Sequence, residues 1–288
     1  MLCSVISLPI KNGERAIFCP NQVTLILALA LAKRDQGPIR TTIFFWPDRC
    51  DVSALENEGI ACVRYSRTNC LRFLFTHRLR TAIEACVPHH RMGRFVNLFC
   101  QFCTSLSLID DGLDTFRDVP RNVEPECFVP GTSFYTFDYR IGLGRWLERF
   151  RIEGVADMAL LAAVSRSPTP LRGVRRLVIE SPPLDRIADQ LGLERSDTLL
   201  VTHSNVYKRV FNDSKIAQVA GSTVAIEKSL IGFTGEVIVG ESMVAVFALL
   251  QERPRFRLYI YISGSQLVNL RPLVNLIRSR DFATLVAC

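Results

Sequence analysis

Residues 15–46 read RAIFCPNQVTLILALALAKRDQGPIRTTIFFW, and this stretch decides the fold. Arg15–Cys19 is a short β-rich run that stops at Pro20-Asn21-Gln22. An apolar segment of helical length follows from Val23 to Lys33, and Thr41–Trp46 is β-rich again before Pro47-Asp48 closes it. Proline suits the first turn of a helix, where its missing N–H costs nothing. Strand, helix and strand in this succession predict a parallel strand pair joined by a crossover helix.

The alternation continues outward. Val52–Glu58 reads as a short helix ending near Gly59, and Ala61–Tyr65 as a third strand. Leu71–Ala85 has helical spacing of Leu71, Leu74, Phe75, Leu79 and Ile83. Phe95–Phe102, or the later Leu106–Ile109, then leads into Asp110-Asp111-Gly112. Between Pro120 and Gly144 prolines, glycines and scattered aromatics replace the pattern, so a boundary is expected there, with domains 1–135 and 136–288. Past it Trp146–Val164 is expected to be mainly helical. Strands are then predicted at 176–179, 198–202, 223–226, 237–239 and 257–262, with helices at 184–191, 242–250 and 267–280. The expected fold is α/β, with two Rossmann-like domains whose parallel sheets face each other across a cleft. Ligands of open α/β sheets gather at the carboxyl ends of the strands, so that cleft is the expected site.

Composition narrows the class. The 288 residues are 48% hydrophobic and 22% charged, which excludes a disordered chain or a coiled coil. The longest uncharged apolar run, Val23–Ala32, is too short for a bilayer span of about 20 residues. A segment with fold-like patterning, Val5–Phe18, precedes it, and no short basic region opens the chain. A soluble, unexported, cytoplasmic protein is expected, and its ten cysteines are then reduced and mostly buried thiols. The lone CxxC, Cys100–Cys103, lies in apolar sequence and reads as packing rather than metal or redox chemistry. Thirty-five Lys and Arg against 28 Asp and Glu leave a net charge of +7. Arg64, Arg67, Arg72, Arg78, Arg80, Arg91 and Arg94 crowd one stretch. Most are read as solvated helix faces; as a patch they would steer anionic substrates or dock on an anionic membrane surface.

Four places could carry chemistry. Asp110-Asp111-Gly112 follows an apolar strand, and one carboxylate of such a pair can serve as a general base if burial and its neighbour raise its pKa. A solvated turn or helix cap uses the same residues. His203 follows the strand TLLVT, placed as a general acid or base or simply as a loop histidine, with Ser204 and Asn205 as caps. Ser242 opens a helix after Val237–Val239, where free N–H groups favour a phosphate and a serine also serves as N-cap. Glu227 closes a predicted strand and could accept from ribose hydroxyls, or pair with Lys228. His77, His89 and His90 lie in a basic stretch and read as surface.

The order acidic pair, His, Ser-led helix resembles the bacterial sialyltransferases and polysialyltransferases of GT-B architecture. Asp110-Asp111-Gly112 matches that family's acidic-acidic-Gly triplet, His203-Ser204 its His-Pro without the proline, and Glu241-Ser242 keeps one hydroxyl of its Ser-Ser pair. Cys19-Pro20-Asn21-Gln22 is similar to the family's Ser-Pro-x-Gln turn. The resemblance implies an inverting transfer of sialic acid, or a related nonulosonic acid, from a CMP-sugar to the hydroxyl of a glycan or glycolipid acceptor. It implies Asp111 as the general base, Asp110 as its support and His203 as stabiliser of the leaving phosphate. Ser242, Ser204, Gln22 and Glu227 would bind the donor. It implies no metal and no cofactor beyond the donor substrate, no nucleic-acid partner, and room for a peripheral contact with the inner membrane. Two alternatives stand beside it: a GT-B transferase using CMP-Kdo or a nucleoside-diphosphate sugar, and a non-catalytic basic protein that binds nucleotides or nucleic acid.

Overall fold

The computed structural model describes residues 12–35, 37–47, 49–50, 52, 59–78, 81–89, 92–139, 142–157, 160, 171–184, 187–193, 195–202, 218–220 and 226–288. The chain forms two compact units. The first takes residues 1–115, 119–140 and 144–160; the second takes 116–118, 141–143 and 161–288.

The first unit is built on seven strands: β1 (Gly13–Cys19), β2 (Ile39–Phe45), β3 (Ala61–Arg64), β4 (Ile83–Val87), β5 (Ser105–Ile109), β6 (Ser133–Phe137) and β7 (Arg151–Ala156). They lie in the order β3-β2-β1-β4-β5-β6-β7, and every neighbouring pair is parallel. The chain therefore builds outward from β1 in one direction and, from β4 on, in the other. The crevice between the ends of β1 and β4 is the topological switch point of such a sheet.

Helix α1 (Gln22–Arg34) is apolar on nearly all sides because it is buried, Thr24–Leu29 and Leu31–Ala32 being shielded from solvent. It packs on strands from β1 and β2 to β7. On the opposite face α2 (Arg67–His77) and α3 (Arg94–Gln101) close an aromatic core. There the Phe18 and Phe44 rings stack at 5.3 Å, and Phe99 meets Phe18 edge-on at 5.1 Å. Side chains alternate along a strand, so Arg15, three residues before Phe18, points to the α1 face. Arg15 there contacts Glu84 at 2.7 Å and Asp35 at 2.6 Å; Glu84 also accepts from Ser107 and Tyr135.

The second unit has six parallel strands: β8 (Arg176–Ile179), β9 (Thr198–Thr202), β10 (Gln218–Ala220), β11 (Thr234–Val239), β12 (Arg255–Ile262) and β13 (Ala283–Ala287). Their order, β10-β9-β8-β11-β12-β13, repeats that of the first six strands of the other sheet, with the switch between β8 and β11. Among the described residues its helices are α4 (Ile226–Leu230), α5 (Met243–Leu249) and α6 (Arg271–Arg278). The expected α/β class with two Rossmann-like parallel sheets is the observed one.

Several elements differ from expectation. The helix read over 71–85 ends at His77, and Ile83–Val87 is the central strand β4, buried along its whole length. A strand covered on both faces shows no alternation, and its apolar run extends a preceding helical spacing by accident. Residues 146–157 of the helix expected at Trp146–Val164 are not α-helical: a 3-10 turn at Arg145–Arg149 buries Trp146 and Leu147, then β7 joins the sheet beside β6. For that reason the first unit runs on to residue 160 instead of ending at 135. In the second unit the described residues of the helix expected at 184–191 are 3-10 rather than α-helical, at Leu184 and at Ala188–Gln190. The predicted helix at 52–58 lies largely outside the described residues.

Candidate active site

The first unit gathers its polar groups where β1, β4 and β5 end. β1 runs into Pro20, and Asn21 caps α1 by accepting from Thr24 N at 3.0 Å. Pro20 thus stands just ahead of the cap rather than within the first turn. β4 ends at Val87 and is followed by Pro88 and His89. β5 ends at Ile109, and the next two residues are the acidic pair.

Asp110 and Asp111 have different surroundings. Asp110 is buried and accepts four hydrogen bonds: from Gly112 N (2.8 Å), Thr115 Oγ1 (2.7 Å), Thr136 Oγ1 (2.8 Å) and Tyr139 Oη (2.5 Å). Burial lifts its pKa above the ordinary carboxylate value while those donors pull it back. The bond from Gly112 N needs a turn with φ of 137°, a conformation open to glycine at little cost, which is why the triplet ends in that residue. Asp110 fastens the turn that carries Asp111, with both of its carboxylate oxygens engaged.

Asp111 is 17% exposed, so solvent and ligands reach an otherwise enclosed carboxylate. Burial first, then the charges of Asp110 and Asp114, push its pKa well above the ordinary carboxylate value. The Asn21 side chain donates to its backbone carbonyl at 3.3 Å. His89 Nε2 lies 3.9 Å from Asp111 Oδ2. An enclosed carboxylate of raised pKa, held by its backbone and faced by an imidazole, is equipped to accept a proton.

Gln22, expected to bind the donor, opens α1 directly beside this group and is half-buried. Asn21 and His89 are the members that sequence reading missed. Asn21 was readable as a cap from its place before an apolar helix; its bond to Asp111 spans 90 residues and leaves no local trace. The signal for His89 was its place just after a buried strand, but that strand was itself read as helix.

In the second unit, Ser242 caps α5, its Oγ accepting from Val244 N at 3.2 Å. The preceding Gly240 packs tightly against the loop after β8: its N–H donates to Ser181 Oγ at 2.8 Å, and a side chain there would meet the Pro182 carbonyl. Glu241 is buried and paired with Arg117 at 2.9 Å, and Arg117 also donates to Gln266 at 2.6 Å. This ion pair secures the loop that carries Ser242. Glu227 does not close a strand. It sits in the first turn of α4, where Ile226 and Leu230 are buried one helical turn apart, and burial raises its pKa. His203 and Ser204 lie outside the described residues. At the CxxC pair burial pushes the Cys100 thiol up to about 12 and raises that of Cys103 as well, as expected of packing thiols.

No protein-family model matches the chain, and no curated protein matches it. Among solved structures it is similar to MurG of Acinetobacter baumannii, at 8% identity and a TM-score of 0.37, over 96% of this chain and 86% of that one. It is similar to an alpha-glucosyltransferase in complex with UDP and a 13-mer DNA containing an HMU base, at 10% identity and a TM-score of 0.37, over 92% and 84% of the two chains. A third similarity is to the GsuK RCK domain, at 15% identity and a TM-score of 0.26, over 98% and 75%. Likenesses of this size carry no argument about activity.

Proposed function

We propose that the chain is an inverting glycosyltransferase of GT-B type, moving a sugar from a nucleotide-activated donor to a hydroxyl of a glycan or glycolipid acceptor. The proposed donor is a CMP-linked nonulosonic acid such as sialic acid. Asp111 carries the reading: a mostly enclosed carboxylate of raised pKa at the carboxyl end of the first sheet, beside the switch point.

In this reaction Asp111 takes the proton of the acceptor hydroxyl as that oxygen bonds to the anomeric carbon. The bond from this carbon to the CMP phosphate oxygen breaks on the opposite face, so configuration inverts and CMP leaves with the electron pair. Asp110, locked by its four donors, holds Asp111 in place and through its charge keeps it basic. On the donor side His203 and Ser204, with Ser242 at the cap of α5, meet the departing phosphate, and Glu227 accepts from the ribose. Gln22 contributes to the donor site from the start of α1. No metal or cofactor enters the scheme, because the leaving-group charge falls to His203 and the hydroxyl groups.

The test is a thermal melt with CMP, UMP or UDP. A ligand held only by the folded state raises the melting temperature as its concentration exceeds its dissociation constant. CMP is expected to give the largest rise. A larger rise with UDP would overturn the CMP donor and favour a nucleoside-diphosphate sugar; no rise with any of them would remove the nucleotide-sugar reading.

A further inference from the structure

Exposed apolar residues occur singly on most proteins and mean little there. Here four cluster on two neighbouring helices. Leu71 (42% exposed) and Phe75 (81%) lie on α2, and Leu98 (47%) and Phe102 (37%) lie at the outer side of α3. In each helix the pair is four residues apart and stacks one turn above the other. Each pair is preceded, four residues earlier, by an arginine, so both rows read Arg-Leu-Phe at i, i+4, i+8: Arg67, Leu71, Phe75 and Arg94, Leu98, Phe102. Arg78 extends the first row and lays its guanidinium over the Phe102 ring at 4.4 Å, so the two rows flank one shared surface.

The charge of this surface is one-sided. From residue 61 to 109 the sequence has seven arginines and one acid, Glu84. Glu84 is buried in the sheet with Arg15, so it does not offset the outer charge. Arg67 and Arg94 are moreover the first residues of their helices, where the positive end of the helix dipole disfavours a cation. Local helix stability does not account for arginines at both of those positions; an external anionic partner does.

We propose that the α2–α3 face docks peripherally on an anionic lipid bilayer, with Leu71, Phe75, Leu98 and Phe102 entering the interface and Arg67, Arg72, Arg78 and Arg94 meeting lipid phosphates. Apolar side chains ringed by arginine are what such an interface rewards, whereas a neutral protein partner would leave the arginines unmatched. The contact is peripheral: among the described residues no helix is long and apolar enough to cross a membrane. The proposal is independent of the reaction assigned above and is tested without substrate.

The full chain is floated with vesicles of phosphatidylcholine alone or with about a quarter phosphatidylglycerol. Binding to the anionic vesicles is expected, falling about tenfold or more in high salt because the charges are screened. The double variant Phe75→Ser, Leu98→Ser is expected to lose about tenfold or more in partitioning while keeping its melting temperature, since both residues are exposed. Arg67→Gln with Arg94→Gln is expected to weaken the anionic preference in the same assay. No binding to anionic vesicles at low salt, or wild-type binding by both double variants, overturns the proposal. So does a self-associating chain that the serine variant makes monomeric while vesicles never bind.

Discussion

Asn21 donates from its side-chain amide to the backbone carbonyl of Asp111 at 3.3 Å, while its carbonyl oxygen caps α1 by accepting from Thr24 N at 3.0 Å. One side chain thus ties the turn after β1 to the turn after β5. Serine caps a helix about as well as asparagine but has no amide to reach the Asp111 carbonyl. Asn21→Ser is expected to change stability by less than about 0.5 kcal/mol and to lower transferase turnover. Chemical denaturation and kinetics on the same variant check both halves; an unchanged turnover would show that the bond to Asp111 has no catalytic role.

Asp111→Asn is expected to remove turnover by about a hundredfold or more while leaving the CMP-induced melting shift in place, because the proposed reaction uses Asp111 on the acceptor and not on the nucleotide. The sign of its effect on stability also follows. Asp111 binds its proton more tightly folded than unfolded, so stability is greatest at low pH and falls as pH rises through the raised folded value. Above that value the ionised carboxylate costs stability, and there the neutral amide is expected to melt higher than the parent. A variant that melts lower and still turns over would refute both the burial argument and the assignment.

Asp110→Ala is expected to behave in the opposite way on stability. It strips the acceptor from Gly112, Thr115, Thr136 and Tyr139 together and leaves buried donors unmatched, at a cost of about 2–4 kcal/mol in denaturant melts. Activity falls with it, since the turn that presents Asp111 is no longer pinned. A loss of activity with undiminished stability would return Asp110 to a direct chemical role.

Much of this was legible in the chain. The strand–helix–strand pattern of 15–46 yields β1, α1 and β2, because turn chemistry and apolar runs there agree. The triplet was readable as a turn because Gly112 must take a positive φ. What could not be read was pairing between distant residues. Asp110 and Asp111 are chemically identical in sequence; residues distant in the chain, Thr136 and Tyr139 at Asp110 and Asn21 and His89 at Asp111, give them different surroundings. β4 was missed for a related reason: Ile83–Val87 is buried on both sides, so its residue pattern bears no period of its own.

The network around Arg15 offers a test of the fold alone. Glu84 is buried and accepts from Arg15, Ser107 and Tyr135, so Glu84→Met leaves a buried guanidinium and two hydroxyls short of their acceptor. A loss of about 3–5 kcal/mol is expected. Replacing Arg15 by Met as well removes the stranded charge, so the double variant is expected to recover part of the loss. Denaturant melts of the full cycle decide it: simple additivity would mean that the two residues are not coupled.

His89 supplies the pH test of the site. Its Nε2 lies 3.9 Å from Asp111 Oδ2. A protonated imidazole so placed would favour the ionised carboxylate and oppose the effect of burial and the neighbouring acids. The proposed reaction requires ionised Asp111, so the rate is expected to climb with pH through its midpoint. Removing the imidazole in His89→Gln withdraws the stabilising charge, and the acid limb of the pH–rate profile is expected to move to higher pH, with activity on the alkaline plateau largely kept. A merely structural histidine would lower the plateau and leave the midpoint where it was, so the direction of movement separates the two roles.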